Sequence, residues 1–366
     1  MKKTQQILTL VLLLGFIAVF AVWFWISPDA DESTVERRHL VKCPTLSLSS
    51  IANGSFMNGF ENYMLDQFPL RNGFRTLKAV ANAKVFMQND NNGLYSVGEH
   101  LSKLDFPTDF DSIDRAAQRF RYVYDAYLRD NGTKTYLSVI PDKNVFIASP
   151  NGYPDKDYKA LVERLGSGFP EAKYIDISGL LSAEDFYYTD SHWRQERIPK
   201  VADEIADKLG AARIGQYENH DTGVSFHGVY YGQSALPHAP ERFFYLENAV
   251  IRGLKVYNVE TSSDIPVYDL GAATGRDPYE MFLGGARSII RITNPNAANE
   301  RRLIIFRDSF GSSIAPLLAA GYSEITLVDI RYIAPSALGR LIDFTKADDA
   351  LFLYSASVIN NSETIK

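Results

Sequence analysis

Apolar runs that alternate with helical patterns constrain the fold of this chain more than any other feature of its sequence. Helical periodicity is clearest at 111–128 and 198–209. Strands that are apolar throughout are typical of sheets covered on both faces. The alternation therefore predicts an α/β fold with a mainly parallel sheet between two layers of helices. The apolar runs that predict its main strands lie at 135–140, 303–306, 325–330 and 350–354.

The remaining sequence suggests how the domains are arranged. Hydrophobic residues make up 46% of the 366 residues and charged residues 22%, which is a globular composition. We expect a linker and N-terminal helical segment at 28–110, followed by an α/β domain at 111–366. Inside that domain, 211–300 loses the alternation and predicts an irregular, β-rich insertion with short strands and long loops. Weaker patterns predict strands at 94–97 and 173–177, and helices at 60–82 (broken at 68–71), 158–165, 312–320 and 335–344.

Residues 1–27 predict a short cytoplasmic tail and a transmembrane signal anchor. Lys2 and Lys3 precede an uncharged apolar run at 7–26, which is long enough to cross a bilayer as a helix. No small-x-small cleavage site follows the run, and the next charged residues are acidic, so the N-terminus should stay inside. We expect a single-pass protein of the cell membrane with its globular part outside the cell. The alternative is a cleaved signal peptide.

Charge and cysteine content narrow the function classes. The net charge of −6 argues against a surface that binds nucleic acid. Cys43 is the one cysteine, so the chain has no internal disulfide and no cysteine-ligated metal cluster.

A serine in the segment 306–313 is the first candidate for chemistry. Ser309 follows an apolar strand and precedes a helix, so it should lie at the carboxyl edge of the sheet, where open α/β folds place their sites. The free N–H groups of a helix N-terminus can stabilise a developing oxyanion there. The segment lacks the Gly-x-Ser-x-Gly pattern of α/β-hydrolases. The alternative is that Asp308 or Ser309 only caps the helix.

A histidine in the segment 186–193 could activate such a serine. Of the six histidines, His192 has a carboxylate two residues earlier, Asp190, and lies at a strand-to-helix junction of the regular core. In an extended segment residues i and i−2 point the same way, so Asp190 could orient the imidazole. Asp-x-His alone is a weak signal, and a metal site that also uses His220 and His227 is the competing hypothesis.

Taken together, the two segments resemble the extracellular DHHW family, which is allied to the SGNH-hydrolase-like O-acetyltransferases of alginate acetylation. The name-giving tetrapeptide of the family appears here as Asp190-Ser191-His192-Trp193, with serine in its second position. Other stretches that match lie at 188–189, 282–285, 304–310 and 325–332, with weaker matches at 67–71 and 231–232.

The resemblance implies a flavodoxin-like three-layer α/β/α domain, SGNH-hydrolase-like, with a Ser309–His192–Asp190 triad. The serine comes last in this chain, a permuted order relative to SGNH hydrolases, where it comes first. By analogy, Ser309 takes an acetyl group and His192 moves its proton. No cofactor and no metal are implied.

The same resemblance suggests the surroundings of the triad. The oxyanion donors would be the Ser309 N–H and a group near Gly284 and Gly285, where the family tends to continue with an asparagine and this chain has Ala286. Arg331 is expected to pair with Asp308 and hold the serine turn, or else to be a surface arginine. Tyr188 and Trp193 are candidates for a sugar groove, with core packing as the alternative.

Three classes of function remain open. The first is an O-acetyltransferase that acts on a cell-envelope or secreted polysaccharide and receives acetyl groups from a membrane-bound O-acyltransferase. The second is a carbohydrate esterase or deacetylase with the same triad. The third is a non-catalytic envelope protein that binds glycan.

Overall fold

The computed structural model describes residues 2–366, which form two compact units. The first unit contains the residues up to Asn92 together with Tyr231–Pro237. The second contains Gly93–Tyr230 and His238–Lys366, and it holds all residues of the candidate site. Residues 93–110, which the sequence analysis grouped with the N-terminal segment, thus belong to the second unit.

The first unit is mainly helical. Its longest helix is the only one within residues 2–366 that is long and apolar enough to cross a membrane, as the sequence predicted. The break predicted at 68–71 is confirmed, because one helix ends at Gln67 and the next begins at Arg71. The elements are α1 (Lys2–Ile26), β1 (Glu32–Ser33), β2 (Arg38–His39), α2 (Leu48–Ala52), α3 (Ser55–Gln67) and α4 (Arg71–Lys84).

The second unit is built on an eight-stranded sheet with helices packed on it. Its strands are β3 (Leu94–Val97), β4 (His100–Lys103), β5 (Lys134–Ile140), β6 (Lys173–Tyr174), β7 (Glu218–Phe226), β8 (Glu241–Glu247), β9 (Lys255–Asn258), β10 (Ser263–Ile265), β11 (Ile289–Thr293), β12 (Arg302–Arg307), β13 (Glu324–Val328) and β14 (Asp349–Ser355). Its helices are α5 (Phe110–Val123), α6 (Asn144–Ile147), α7 (Tyr158–Gly168), α8 (Pro199–Leu209), α9 (Val229–Ser234, whose last four residues belong to the first unit), α10 (Ala249–Gly253), α11 (Gly311–Ile314) and α12 (Ala356–Asn360).

The strand order of the main sheet is β10-β9-β11-β13-β12-β14-β5-β6. The five strands from β13 to β6 pair in parallel, whereas β10, β9 and β11 extend one side antiparallel. The predicted mixed α/β architecture with a mainly parallel sheet is confirmed. The segment 211–300 thus contributes three strands to this sheet and, in addition, the separate β7–β8 pair.

Side chains alternate between two buried cores on the opposite faces of the sheet. In β14, Leu351 and Leu353 join one core, while Phe352 and Tyr354 join the other. Helix α8 covers the first core, and α5 and α7 cover the second. This alternation follows from the two-residue period of a strand and explains why the central strands are apolar throughout.

Two predicted helices take a tighter form. The predicted helix at 312–320 is α-helical only as far as Ile314 and continues as a 3₁₀-helix over Ala315–Gly321, where Pro316 cannot donate an α-helical hydrogen bond. The predicted helix at 335–344 is a 3₁₀-helix at Pro335–Arg340. Both predictions identified a helical turn and mistook its type.

Candidate active site

The candidate nucleophile lies on a tightly held turn. Ser309 is half-buried between the end of β12 and the start of α11, at the carboxyl end of the parallel strands. The neighbouring Asp308 carboxylate accepts the N–H of Phe310 at 3.1 Å and the N–H of Ser355 at 2.8 Å. Asp308 therefore ties the turn to the end of β14. The N-cap of α11 is Phe310, so neither Asp308 nor Ser309 takes the capping role that was the alternative.

Asp190, His192 and Ser309 form a continuous chain of hydrogen bonds. The Asp190 Oδ1 atom lies 2.6 Å from His192 Nδ1, and His192 Nε2 lies 2.7 Å from Ser309 Oγ. An ionised carboxylate can only accept, so Nδ1 carries the proton and Nε2 is left to accept from the serine hydroxyl. This is the tautomer that a general base requires.

Backbone groups fix the Asp190 carboxylate from two sides. Its Oδ1 also accepts the N–H of His192 at 3.1 Å, and its Oδ2 accepts the N–H of Val229, the first residue of α9, at 2.9 Å. The side chain is fully buried. The Ser191 hydroxyl also lies 3.5 Å from Oδ1, so several donors hold the carboxylate in place.

Gly228 allows the backbone before α9 to approach Thr189 and Asp190 closely. A Cβ atom on Gly228 would lie 2.2 Å from the Thr189 carbonyl oxygen and 2.4 Å from Asp190 Cβ. Its N–H instead donates to Thr189 Oγ1 at 2.7 Å. The position thus accepts only glycine. This requirement could not be predicted, because Gly228 lies in the segment 211–300, where the sequence pattern is irregular.

An aromatic ring supports the imidazole. Tyr279 stacks on His192 with ring centroids 3.8 Å apart and planes 12° from parallel. The Tyr279 hydroxyl donates to Ser313 Oγ at 2.8 Å, which also accepts the Trp193 Nε1–H at 2.8 Å. Ser313 in turn donates to the Phe310 carbonyl at 3.2 Å. Burial raises the pKa of Tyr279, so the phenol stays neutral.

This network corrects one prediction. Trp193 is fully buried, so its assignment to a sugar groove is wrong and the alternative, core packing, is right. Its indole anchors Ser313 and meets the Phe310 ring edge-on at 5.3 Å. Sequence reasoning missed the roles of Tyr279 and Ser313 because Tyr279 reaches His192, and Ser313 reaches Trp193, only through the fold.

Tyr188 lies in a cluster beside the triad segment. Its ring packs on the Arg194 guanidinium at 4.6 Å and meets His100 edge-on at 4.8 Å. Arg194 bonds Glu241 at 2.5 Å, and the same carboxylate accepts the Tyr188 N–H at 3.0 Å. Burial raises the pKa of Glu241, against the lowering effect of Arg194. Tyr188 remains half-buried, and its role in a groove stays a prediction.

A buried lysine also holds this segment. Lys143 Nζ donates to the carbonyl oxygens of Tyr187 at 2.8 Å and Tyr188 at 2.9 Å. Burial lowers the pKa of Lys143 to about 7, although the nearby Asp190 and Glu241 act in the opposite direction. The lysine therefore fixes the backbone that leads to Asp190. Nothing in the sequence around 143 signalled this contact.

The glycine pair predicted to lie near the oxyanion forms a left-handed turn. Leu283, Gly284 and Gly285 have φ values of 55°, 71° and 75°, all left-handed. The Gly285 N–H donates to the Phe282 carbonyl at 3.2 Å and is therefore not available to an oxyanion. Within residues 2–366, no protein group accepts the N–H of Gly284 or that of Ser309.

The prediction that Arg331 pairs with Asp308 is wrong. Arg331 binds Asp329 through Nε at 2.9 Å and Nη2 at 2.7 Å. The fully buried Arg307 lies 3.7 Å from the same carboxylate and donates to the Gly285 carbonyl at 3.5 Å. The prediction failed because Asp308 is saturated by backbone donors while Asp329 is two residues away from Arg331.

The residues that could hold a metal ion differ from those of the competing metal hypothesis. Ligand atoms of Glu218, His220 and Glu247 lie within 4.8 Å of one another, and His192 and His227 are not among them. Arg252 donates to both carboxylates at 3.0 Å. This cluster is thus an ion-paired surface group on β7 and β8.

Comparison with known proteins identifies the fold. No family model and no curated protein sequence matches the chain. Among solved structures, a DHHW family protein from Eubacterium siraeum is 19% identical with a TM-score of 0.61, over 75% of this chain and 95% of that chain. Bacillus cereus PatB1 with a sulfonyl adduct is 18% identical with a TM-score of 0.59, over 73% of this chain and 95% of that chain. The chain therefore has the fold of these structures, and the likeness to a DHHW family protein that its sequence motifs indicated is confirmed at the level of the fold.

Proposed function

We propose that this chain is an extracytoplasmic O-acetyltransferase that moves an acetyl group, through an acyl-serine, onto a cell-envelope or secreted polysaccharide. The observation that carries the proposal is the hydrogen-bond chain from Asp190 through His192 to Ser309. A half-buried serine at the end of a parallel strand, bonded to an oriented imidazole, is equipped for nucleophilic catalysis.

In the first half-reaction, Ser309 Oγ attacks the carbonyl carbon of an acetyl donor and His192 Nε2 takes the hydroxyl proton. The fully buried Asp190 carboxylate stabilises the imidazolium that forms, and the Tyr279 ring keeps the imidazole in its plane. Collapse of the tetrahedral intermediate expels the donor's leaving group, which receives the proton from His192. Acetyl-Ser309 remains.

In the second half-reaction, a sugar hydroxyl attacks acetyl-Ser309. His192 Nε2 takes the proton of that hydroxyl and returns it to Ser309 Oγ as the acetyl group leaves. Acetyl transfer and ester hydrolysis differ only in whether a sugar hydroxyl or water makes this attack. The sequence resemblance to O-acetyltransferases supports transfer.

The N–H groups of Ser309 and Gly284 are the proposed oxyanion donors. Both donate to no protein group within the described residues 2–366, while the Gly285 N–H is already bonded. Hydrogen bonds from Arg307 Nη2 to the carbonyls of Gly285 and Arg287 tie the turn that carries Gly284 to β12. Ala286 brings no side-chain donor, so backbone groups would act alone.

The proposed setting is the outer face of the cell membrane. Helix α1 would anchor the chain with its N-terminus inside, because basic residues precede the apolar run and acidic ones follow it. The acetyl donor would be a membrane-bound O-acyltransferase, and the acceptor a polysaccharide. Neither cofactor nor metal takes part in the proposed steps.

The test is turnover of a chromogenic acetyl ester by the full-length protein, with and without an oligosaccharide acceptor. Ser309→Ala and His192→Ala should abolish turnover. Ser312→Ala is the matched control, because the Ser312 hydroxyl is buried without a hydrogen-bond partner three residues away. Acetylated oligosaccharide should accumulate at the expense of acetate. Ester cleavage that no acceptor diverts would indicate an esterase, and unchanged turnover in Ser309→Ala would refute the triad.

A further inference from the structure

A stripe of exposed apolar side chains runs along α4. Leu70 precedes the helix, and Phe74, Leu77 and Val85 follow at helical spacing, with exposures of 59%, 39%, 65% and 71%. An amphipathic helix normally turns such a stripe toward the protein core. In α4, the residue that faces the protein core is the fully buried Ala79. Apart from Phe74, whose ring also contacts other aromatic rings, the apolar stripe therefore faces away from the protein.

Basic residues flank the stripe. Lys78 and Lys84 are both exposed, whereas Arg71 and Arg75 are held by the Glu36 carboxylate. Lysines beside an exposed apolar face are typical of helices that lie in the interface of a membrane, where the cations meet lipid headgroups.

Ring contacts connect the stripe to the apolar helix α1. The Phe74 ring lies 5.6 Å from the Phe20 ring, and the Phe68 ring stacks on Phe20 at 5.4 Å. Phe20 lies inside the apolar run, six residues before the end of α1 at Ile26. Residues in contact with Phe20 must therefore lie at its depth.

The depth can be estimated from helix geometry. The apolar run at 7–26 has 20 residues and is about 30 Å long as a helix, which matches a hydrocarbon core of about 30 Å. Phe20 lies about 9 Å from the end of α1, hence about 9 Å inside the hydrocarbon. Interfacial helices bury their apolar faces by about 5–10 Å, which is the same depth.

We infer that α4 lies in the outer-leaflet interface of the bilayer that α1 crosses, with the stripe formed by Leu70, Phe74, Leu77 and Val85 in the acyl region. The occupant of the stripe is lipid, with Lys78 and Lys84 at the headgroups. The inference rests on α1 crossing the membrane and is independent of the acyl-transfer chemistry. It assigns the first unit a second membrane contact beyond the anchor.

Spin labels on the full-length protein in anionic lipid vesicles test the depth of α4. In a Cys43→Ser background, which removes the native cysteine, single labels are placed at Leu77→Cys, at Leu12→Cys within α1 and at Asn72→Cys. Asn72 is exposed on α4 five positions before Leu77 and so on another side of the helix. Relaxation by dissolved oxygen and by an aqueous nickel complex is measured at each site.

The expected result is loss of relaxation by the nickel complex at Leu77, to the level at Leu12, with oxygen access retained, while the Asn72 label keeps its access to nickel. A Leu77 label as accessible to nickel as Asn72 would overturn the inference. So would a Leu77 label shielded from both reagents, because protein would then cover the stripe. A Leu12 label in water would overturn both this inference and the proposed anchor, and it would leave the triad untouched.

Discussion

Asp190→Asn is the substitution that probes the proposed catalytic chain most sharply. Asp190 accepts hydrogen bonds from His192 Nδ1, from the His192 N–H and from the Val229 N–H, and the Ser191 hydroxyl lies 3.5 Å from its Oδ1. Asparagine has a single oxygen, so its NH₂ group must face either His192 or Val229. If the NH₂ group faces Val229, it opposes the Val229 N–H, and two donors meet without an acceptor. In the other orientation, the imidazole is driven to the tautomer with its proton on Nε2, which cannot accept from Ser309.

The structure identifies two separate effects, one on catalysis and one on folding stability. Loss of the correct tautomer should lower kcat about 10⁴-fold, equivalent to about 5 kcal/mol of transition-state stabilisation. An unpaired buried donor should cost about 1–3 kcal/mol of folding stability. Turnover of the acetyl ester and urea unfolding measure the two separately.

Asp185→Asn is the matched control for this substitution. Asp185 is also buried, lies five residues earlier and accepts the N–H and hydroxyl of Ser182. Asp185 makes no hydrogen bond to the imidazole within residues 2–366, so Asp185→Asn should lose stability while its kcat changes only a few-fold. If Asp190→Asn keeps kcat within tenfold of the wild type, or if Asp185→Asn loses as much activity, the reasoning about Asp190 is refuted.

Three further predictions concern the surroundings of the triad. Ser313→Ala should leave the Trp193 N–H and the Tyr279 hydroxyl without their acceptor, lower stability by about 1–3 kcal/mol and reduce kcat more than it changes KM, which ester kinetics would show. Gly228→Ala should cost about 3 kcal/mol or more, because its Cβ would overlap the Thr189 carbonyl; an unfolding midpoint equal to that of the wild type would contradict this. Burial raises the pKa of Glu196 from 4.5 to about 6, so its ionised form costs the folded state about 2 kcal/mol above pH 6. Glu196→Gln should therefore stabilise the protein at pH 8, with the gain vanishing below pH 4.5, and equal gains at both pH values would be inconsistent with this origin.

Local sequence was sufficient for the parallel core, whereas the candidate triad came from the family resemblance. The strands β5, β12, β13 and β14 are apolar on both faces, and Ser309 follows the end of β12. Parallel strands place their carboxyl ends at one edge of the sheet, so the position of Ser309 was predictable. Asp190 and His192 lie in an irregular segment between two 3₁₀-helices, and the strand-to-helix junction expected at His192 is not found there.

The supporting contacts could not be predicted because they join segments distant in the chain. Tyr279 stacks on His192 from a 3₁₀-helix between β10 and β11, and Gly228 reaches Asp190 from the end of the β7 segment. The error at Trp193 has the same cause, since an indole beside a candidate base looks identical in sequence whether it faces solvent or Ser313. Pro316 could have signalled the switch from α-helix to 3₁₀-helix after Ile314.

The central claim is that Ser309 carries the acetyl group, and peptide mass spectrometry after an acid quench tests it most directly. Full-length protein incubated with the acetyl ester should yield one acetyl group on the peptide that contains Ser309, with fragment ions that place it on that residue. The adduct should be absent from Ser309→Ala and His192→Ala and present in Ser312→Ala. An acetyl group on Ser312 or Ser313, or an adduct that persists in Ser309→Ala, would contradict the account.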